Sequence, residues 1–160
     1  MWAEIKGLKE GNRFMNREIL FKAKRKDNGE WVEGYYFCMV HDDGRHIHHF
    51  IMPLEVDLSL GTPIENIQVE INQETLCQYI GITDKNDKKI FENDIIETIT
   101  FGFEKDHFIT SVKFGVKFSM QGFYLANGRS MFYFGQSDLT KMDDTQVIGN
   151  IFDNPELLEE

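Results

Sequence analysis

Alternation of apolar and polar residues is the strongest pattern in this chain, and it predicts β-strands. It is clearest from Phe108 to Phe118, where successive residues would point to opposite faces of one strand. One face would carry a row of apolar residues and one threonine, namely Phe108, Thr110, Val112, Phe114, Val116 and Phe118. The opposite face would carry Ser111, Lys113 and Lys117.

A hairpin is predicted nearer the start of the chain. The alternating segment Ile19 to Arg25 is followed by Asn28-Gly29, which is typical of a two-residue type I′ turn, and then by the aromatic run Trp31 to Phe37. The first strand of this hairpin would have an apolar face with Ile19, Phe21 and Ala23 and a basic face with Lys22 and Lys24.

Shorter runs rich in β-branched and aromatic residues predict further strands, separated by turns at residues 42–44, 84–87, 92–93 and 127–128. These strands are His46 to Met52, Ile67 to Ile71, Leu76 to Ile82, Ile90 to Phe91, Asp94 to Phe101, Phe123 to Leu125 and Met131 to Phe134. Many short strands joined by turns indicate a mainly β fold of antiparallel hairpins, arranged as a barrel or a sandwich.

Helix is expected only in short pieces. Ser137 could cap a short turn that extends to Met142. Near the end of the chain, Asn154 suits an N-cap and Pro155 suits the first helical position, so a C-terminal helix of one or two turns is predicted.

Three parts are predicted along the chain. Residues 1–14 lack the pattern of the rest and are interpreted as an N-terminal extension or translated leader, with Met15 as the native start. Pro53 and Pro63 bracket an irregular stretch that is typical of a boundary. An N-terminal β-rich region is therefore expected at 15–73 and a second β-rich region at 74–160.

Composition narrows the possible functions of the 160 residues. Cys38 and Cys77 are the only cysteines, and their spacing indicates neither a disulfide scaffold nor a zinc site, so both are predicted to be free, buried thiols of a cytoplasmic protein. No apolar run could span a bilayer, and no membrane contact is expected. The formal net charge of -10 disfavours binding to nucleic-acid phosphates.

Three segments along the chain form a pattern when they are taken in order. The first is Arg17 to Phe21 with Asp27 to Val32 and Gly34 to Tyr36, the second is Gln78 to Asn86 with Ile90 to Glu92 and Asp94 to Ile96, and the third is Val147 to Leu158. Together they resemble the YopX family of phage and prophage proteins. Asp87 and Asn93 stand where the family often has glycine, and both residue types tolerate left-handed backbone.

The resemblance runs from about Met15 to the C-terminus and implies a particular architecture. It implies a β-rich protein whose C-terminal part is similar to a small SH3-like barrel and which self-associates in the cytoplasm of a bacterial host. It implies no known activity, and a barrel fold would not supply one.

The four histidines His41, His46, His48 and His49 are the most prominent candidate metal ligands, beside Asp42 and Asp43. His46 and His48 would project from the same face of a strand, as paired ligands do. A polar hairpin turn explains the same residues, however, and no cysteine or second cluster accompanies them. We therefore assign none of these residues to a metal, and no cofactor is expected.

Other candidate chemistries also have simpler explanations. The segment Asp84 to Asp87 begins like a calcium loop, but Lys88, Lys89 and Ile95 replace the residues that such a loop requires, so a turn is predicted. Glu92 and Asp94 could be a catalytic carboxylate pair, but solvated turn carboxylates are the preferred interpretation. No catalytic residue is assigned, and we expect the protein not to be an enzyme.

Aromatic residues and charge provide the remaining hypotheses. Tyr36 and Tyr133 are predicted to face outward and to form a subunit contact, which makes a homo-oligomeric binding module of a phage or prophage the leading hypothesis. One alternative is an acidic decoy for a host nucleic-acid-binding protein, using carboxylates such as Glu92, Asp94, Glu97, Asp143 and Asp144. Another is a nucleic-acid-binding barrel that uses Lys22, Lys24, Arg25 and Lys26, although a solvated strand face is preferred for this group.

Overall fold

The computed structural model describes residues 18–41, 43–54, 63, 67–101, 105–117, 120–127 and 141–159. Within them are eleven strands: β1 Phe21–Lys24, β2 Trp31–Val40, β3 Ile47–Pro53, β4 Val69–Glu70, β5 Cys77–Asp84, β6 Lys89–Phe91, β7 Asp94–Phe101, β8 Lys105–Lys117, β9 Met120–Leu125, β10 Lys141–Met142 and β11 Thr145–Asn150. Two 3-10 helices, Gln73–Thr75 and Pro155–Leu158, complete the described secondary structure. No helix in these ranges has the length and apolar character needed to cross a bilayer.

The strands form two sheets, which confirms the prediction of a mainly β fold. Seven strands form the first sheet in the order β10-β5-β1-β2-β3-β4, with β6 paired to β5, and four form the second in the order β11-β7-β8-β9. The predicted span of β7 agrees with the structure at both ends. Within the part of the chain that the structure describes, neither sheet closes on itself, so the SH3-like barrel is not confirmed. Because β1 pairs with β5, strands from both predicted regions lie in the first sheet.

The largest apolar cluster joins the two sheets. It combines side chains of the first sheet with side chains of the second, namely Ile80, Ile90, Ile96, Val112, Leu125 and Met142. A second cluster packs around Leu20 and Cys77. A third packs around Ala23 of β1 and Ile51 of β3. Burial of these side chains is the main force that holds the sheets together.

The first turn differs from the sequence prediction. Gly29 has φ 74°, but Asn28 is not among the residues with positive φ, so the turn is not type I′. The Arg25 N–H donates to the Glu30 carbonyl, which makes a four-residue loop instead. The expectation for the two later turns is confirmed, because Asp87 and Asn93 adopt left-handed backbone with φ 62° and 65°.

Strand β8 follows its predicted alternation only in its first part. Val112 is fully buried, but Phe114 and Val116 are exposed, and Ser111, predicted on the polar face, is buried. The reason is the change of neighbours along the strand. Pairing with β7 ends at Ser111, and beyond it β8 continues with β9 as a two-stranded ribbon.

The C-terminal helix is not confirmed. Pro155–Leu158 is a single 3-10 turn, and Asn154 makes no side-chain capping bond to it. The Asn154 Oδ1 instead accepts a hydrogen bond from the Asn150 N–H at 3.4 Å. Met142, the predicted end of the earlier helical turn, lies in β10. The leader with Met15, the strand from Met131 to Phe134 with Tyr133, and the rest of the turn from Ser137 lie outside the described residues.

Asp84 ties β5 to β11. Its carboxylate accepts the N–H groups of Asn86 and Lys88 within the turn and the N–H of Val147 across to β11, at 2.8, 3.0 and 2.9 Å. Burial raises the pKa of Asp84, but these three donors outweigh burial, so the net pKa lies below its ordinary value of 3.8.

This lowered pKa gives a pH dependence with a definite sign. The carboxylate stabilises the fold above pH 3.8, where the unfolded chain is also ionised, and that contribution is lost as the pH falls through the lower folded-state pKa. We expect Asp84→Asn to lower the free energy of unfolding by about 2 kcal/mol at pH 7. The reason is that the asparagine side chain cannot accept hydrogen bonds from all three N–H groups. Urea unfolding at pH 7 and at pH 3 measures this, and the difference between variant and wild type should shrink at the lower pH. An equal difference at both values would contradict the assignment.

Candidate functional site

The basic group on and after β1 is neutralised by carboxylates. Each of its four cations has an acidic partner: Lys22 with Asp94, Lys24 with Asp153, Arg25 with Asp27 at 2.7 Å, and Lys26 with Glu70 at 2.7 Å. Three of these partners come from other parts of the chain, so the sequence around β1 does not show them. Paired cations bind phosphate less well than free ones, and this geometry gives the nucleic-acid alternative little support.

The pairing of Lys22 with Asp94 is a largely buried contact between the two sheets. Asp94 is 1% exposed, and its Oδ2 accepts the Phe91 N–H at 2.9 Å. The Lys22 ammonium also lies 4.9 Å from the ring centroid of Phe91 and 5.1 Å from that of Trp31. Burial raises the pKa of Asp94, and Lys22 and the Phe91 N–H oppose that rise only in part.

The interpretation of Asp94 as a solvated turn carboxylate is therefore wrong. Strand β7 begins at Asp94, and the Asp94 side chain lies between the two sheets, against Lys22 of β1. Its two oxygens accept hydrogen bonds from the Lys22 ammonium and the Phe91 N–H. Because it is buried and bonded in this way, Asp94 cannot contribute to an acidic decoy surface. Glu92 is half-buried, and burial raises the pKa of its carboxyl as well. Asp143 and Asp144 are exposed, whereas Glu97 bonds to His107 at 2.9 Å and to Gln146.

Trp31 fastens the C-terminal turn to the first hairpin. Its Nε1–H donates to the Asp153 Oδ2 at 2.6 Å, and its ring lies 5.9 Å from the Phe152 ring. Lys24 pairs with the same carboxylate, and the pKa of Asp153 falls to about 2 because Lys24, Asn150 and Trp31 all donate to it. These residues therefore form a structural contact of the fold.

His41 and His46 share the Asp43 carboxylate, with the His41 Nδ1 at 3.8 Å, and the other two histidines have separate partners. His46 Nδ1 lies 2.5 Å from the Asp43 carboxylate, and His48 Nδ1 lies 3.0 Å from the Glu70 carboxylate. His49 points to the other face of β3 and bonds through Nδ1 to the Tyr36 hydroxyl at 2.7 Å. The ring centroids of His41 and His48 are 6.4 Å apart. In the ranges that the structure describes, which omit Asp42, no three His, Cys, Asp or Glu residues are arranged to hold a metal ion.

The two thiols differ in exposure. Cys77 is buried as predicted, and burial raises its pKa to about 11, so it is a poor nucleophile. Cys38 is exposed, which contradicts the prediction that both thiols are buried. It lies on the part of β2 that extends beyond the end of β1, where the core no longer covers the strand.

That part of the first sheet is the best candidate site. We name it the β2–β3 arm and define it as Tyr35–Val40 of β2 and Ile47–Met52 of β3. Strand β1 pairs only with Trp31 to Gly34, whereas β3 pairs with β2 as far as Val40. Four of the nine exposed large apolar side chains among the described residues lie on the arm: Tyr35, Met39, Val40 and Ile47.

One face of the arm carries stacked rings. Phe37 and Phe50 are cross-strand partners whose ring centroids are 5.4 Å apart at an interplanar angle of 19°, and the His48 ring stacks on Phe50 at 6.3 Å. Tyr35 flanks them and is 49% exposed. The predicted outward position of Tyr36 is wrong, because Tyr36 packs against the third cluster and contacts the Phe21 ring at 5.4 Å. The prediction that β2 carries an outward-facing ring is correct, but that ring is Tyr35 and not its neighbour Tyr36.

Comparison with known proteins identifies the family. The family model described as YopX protein matches residues 20–159. The chain belongs to the YopX family. The match spans both sheets and confirms the resemblance found in the three sequence segments. No curated protein matches the chain.

A solved structure also resembles this YopX-family protein. It is the crystal structure of protein EF1440 from Enterococcus faecalis, with 24% sequence identity and a TM-score of 0.51. The alignment covers 88% of this chain and 98% of that chain. At this identity the likeness concerns the fold alone, which both chains share over nearly their whole length.

Proposed function

We propose that this YopX-family protein is a non-catalytic binding module that assembles with copies of itself through the β2–β3 arm. The observation that carries the proposal is the exposure of Tyr35, Met39, Val40 and Ile47 on one projecting hairpin. Tyr35 and Met39 lie on one face of this hairpin and Val40 and Ile47 on the other, and exposed apolar surface of this kind is typical of interaction sites. Tyr and Met are also residue types that protein interfaces enrich.

Charge limits where two copies can meet. Each chain has a formal net charge of -10, so association through acidic surface would be repulsive. The strand segment Tyr35–Val40 contains no charged residue, and the opposite segment Ile47–Met52 contains only its histidines as titratable groups. The arm is therefore a surface on which two acidic chains can meet with little repulsion.

The proposed biological setting follows from the family. We place the protein in the cytoplasm of a bacterial host, as an accessory protein of a phage or prophage. A host protein that covers the arm is the main competing partner. The acidic-decoy alternative is weaker, because Asp94 is buried and Glu97 is bonded to His107 and Gln146.

A pair of matched variants tests the proposal. Met39→Glu places a carboxylate in the exposed apolar face of the arm, whereas Val116→Glu makes the same kind of change on β8, where Val116 is 74% exposed. We expect light scattering after size exclusion to show an oligomer for wild type and for Val116→Glu, and dissociation for Met39→Glu. The reverse pattern would contradict an interface on the arm.

A further inference from the structure

The arm has a strand edge that lacks a partner among the described residues. Pairing of β1 with β2 ends at Phe21 and Gly34, but β2 continues for six more residues to Val40. Strand β3 covers only the opposite side of those six residues. Strand β1 lies along one side of β2 from Trp31 to Gly34. On that same side, no described strand pairs with β2 along Tyr35–Val40.

The register shows which backbone groups point to this open edge. In an antiparallel ladder, alternate residues bond to the same neighbouring strand. The His41 N–H donates to the His46 carbonyl at 2.8 Å, so odd-numbered residues of β2 bond to β3. On the other side, the Arg25 N–H donates to the Glu30 carbonyl, so even-numbered residues face β1. The N–H and C=O groups of Tyr36, Cys38 and Val40 therefore point to the open edge.

Among the described residues, this edge has none of the usual features that prevent pairing. Natural proteins protect edge strands with charged residues, proline, bulges or a covering segment. Tyr35–Val40 contains no charge and no proline, and its register with β3 is unbroken. Cys38 is exposed and Val40 is 59% exposed, so the side chains at the edge are open to solvent.

We propose that the occupant of this edge is the β2 strand of a second copy, paired antiparallel about a two-fold axis at Cys38. This inference rests on the proposed self-association and specifies its geometry. The pairing would place Tyr36 of each copy opposite Val40 of the other, and Cys38 opposite Cys38. The first sheets of the two copies would then form one continuous sheet.

Self-complementarity favours a second copy over an unrelated peptide. A two-fold interface brings identical segments together, and this segment places a large ring opposite a smaller side chain and the small Cys38 at the centre. On the other face, Phe37 of each copy would lie opposite Met39 of the other, which is a favourable sulfur–aromatic contact. No carboxylate of either chain lies in the paired segments, so the two net charges of -10 are kept off the contact.

Removal of one outward N–H tests the edge directly. Cys38→Pro deletes the N–H that points to the open edge and leaves the β3 ladder intact, since proline is tolerated where the N–H faces away from the neighbouring strand. The matched control Cys38→Ala removes the thiol and keeps the N–H. We expect light scattering to give twice 18.8 kDa for wild type and Cys38→Ala, and 18.8 kDa for Cys38→Pro with the β-sheet circular dichroism retained.

The outcomes separate this inference from the proposed function. A dimeric Cys38→Pro would overturn the edge pairing while self-association stands. A monomeric wild type would overturn both.

Cross-linking keeps the test decisive if Cys38→Pro fails to fold. The two Cys38 residues would have Cα atoms about 5.5 Å apart, within the range that a disulfide spans. Diamide, by accepting two electrons and two protons from the two thiols, should therefore link wild type into a dimer on a non-reducing gel. Cys38→Ala, which retains only the buried Cys77, should stay unlinked. Absence of linked wild type under conditions where it is dimeric would overturn the proposed register.

Discussion

Asp94→Ala is expected to lower the free energy of unfolding by about 3 kcal/mol, because it leaves the largely buried Lys22 ammonium between the sheets without its counter-charge. The variant also leaves the Phe91 N–H without the acceptor that it has at 2.9 Å. The rings of Phe91 and Trp31 near the ammonium cannot replace a carboxylate, since cation–π contacts are weaker than a buried ion pair.

Urea unfolding at pH 7 measures this effect, and two further variants make the result specific. Asp143→Ala removes an exposed carboxylate from a turn and should change the free energy of unfolding by less than about 0.5 kcal/mol. Lys22→Met combined with Asp94→Ala removes both charges and should recover part of the loss, because no uncompensated ion remains. Equal losses in Asp94→Ala and Asp143→Ala would show that the ion pair does not stabilise the contact between the sheets.

Gly34→Ala is expected to disrupt the base of the arm. A Cβ at this position would lie 2.0 Å from the Met52 carbonyl oxygen and 2.9 Å from the Pro53 Cα, and both are backbone atoms that cannot rotate away. Strands β2 and β3 would have to separate where the arm leaves the core. Steric insertion into packed structure commonly costs about 1–3 kcal/mol, and a clash with backbone places this variant at or above the upper end.

Gly122→Ala is the matched control for this prediction. Gly122 also lies in a strand, but a Cβ there would meet no atom within 4 Å. Thermal unfolding should therefore show a large decrease in midpoint for Gly34→Ala and little change for Gly122→Ala. If the arm mediates association, Gly34→Ala should also shift the protein toward monomer at temperatures where it remains folded. A similar midpoint for both variants would contradict the close approach of β2 to β3.

Local patterns in the sequence predicted the strands well. The span of β7 and the left-handed turns at Asp87 and Asn93 depend on neighbouring residues, and the sequence contains that information. The three family segments also depend on short local motifs, and the family they indicated is confirmed.

Features set by distant parts of the chain could not be predicted from alternation. Phe114 and Val116 alternate like core residues, but they are exposed because β7 ends its pairing at Ser111. Asp94 resembles a turn carboxylate until β1 brings Lys22 beside it. A strand pattern gives the period of its side chains but not the number of neighbours, and burial depends on those neighbours.

The candidate site shows the same limit. The aromatic run of β2 predicted outward rings, but which ring faces outward depends on the register with β1 and β3. Cys38 has the local sequence of a buried thiol and is exposed because the pairing of β1 with β2 ends at Gly34. The late start of β1, at Phe21 opposite Gly34, is the feature that creates the arm.

The central claim is that the arm joins copies of this chain, and the molar mass of the wild-type protein tests it most directly. Sedimentation equilibrium over a range of micromolar concentrations, at pH 7 and moderate salt, gives that mass without calibration. The account predicts a species of twice 18.8 kDa that dissociates on dilution. A mass of 18.8 kDa at every concentration would contradict it.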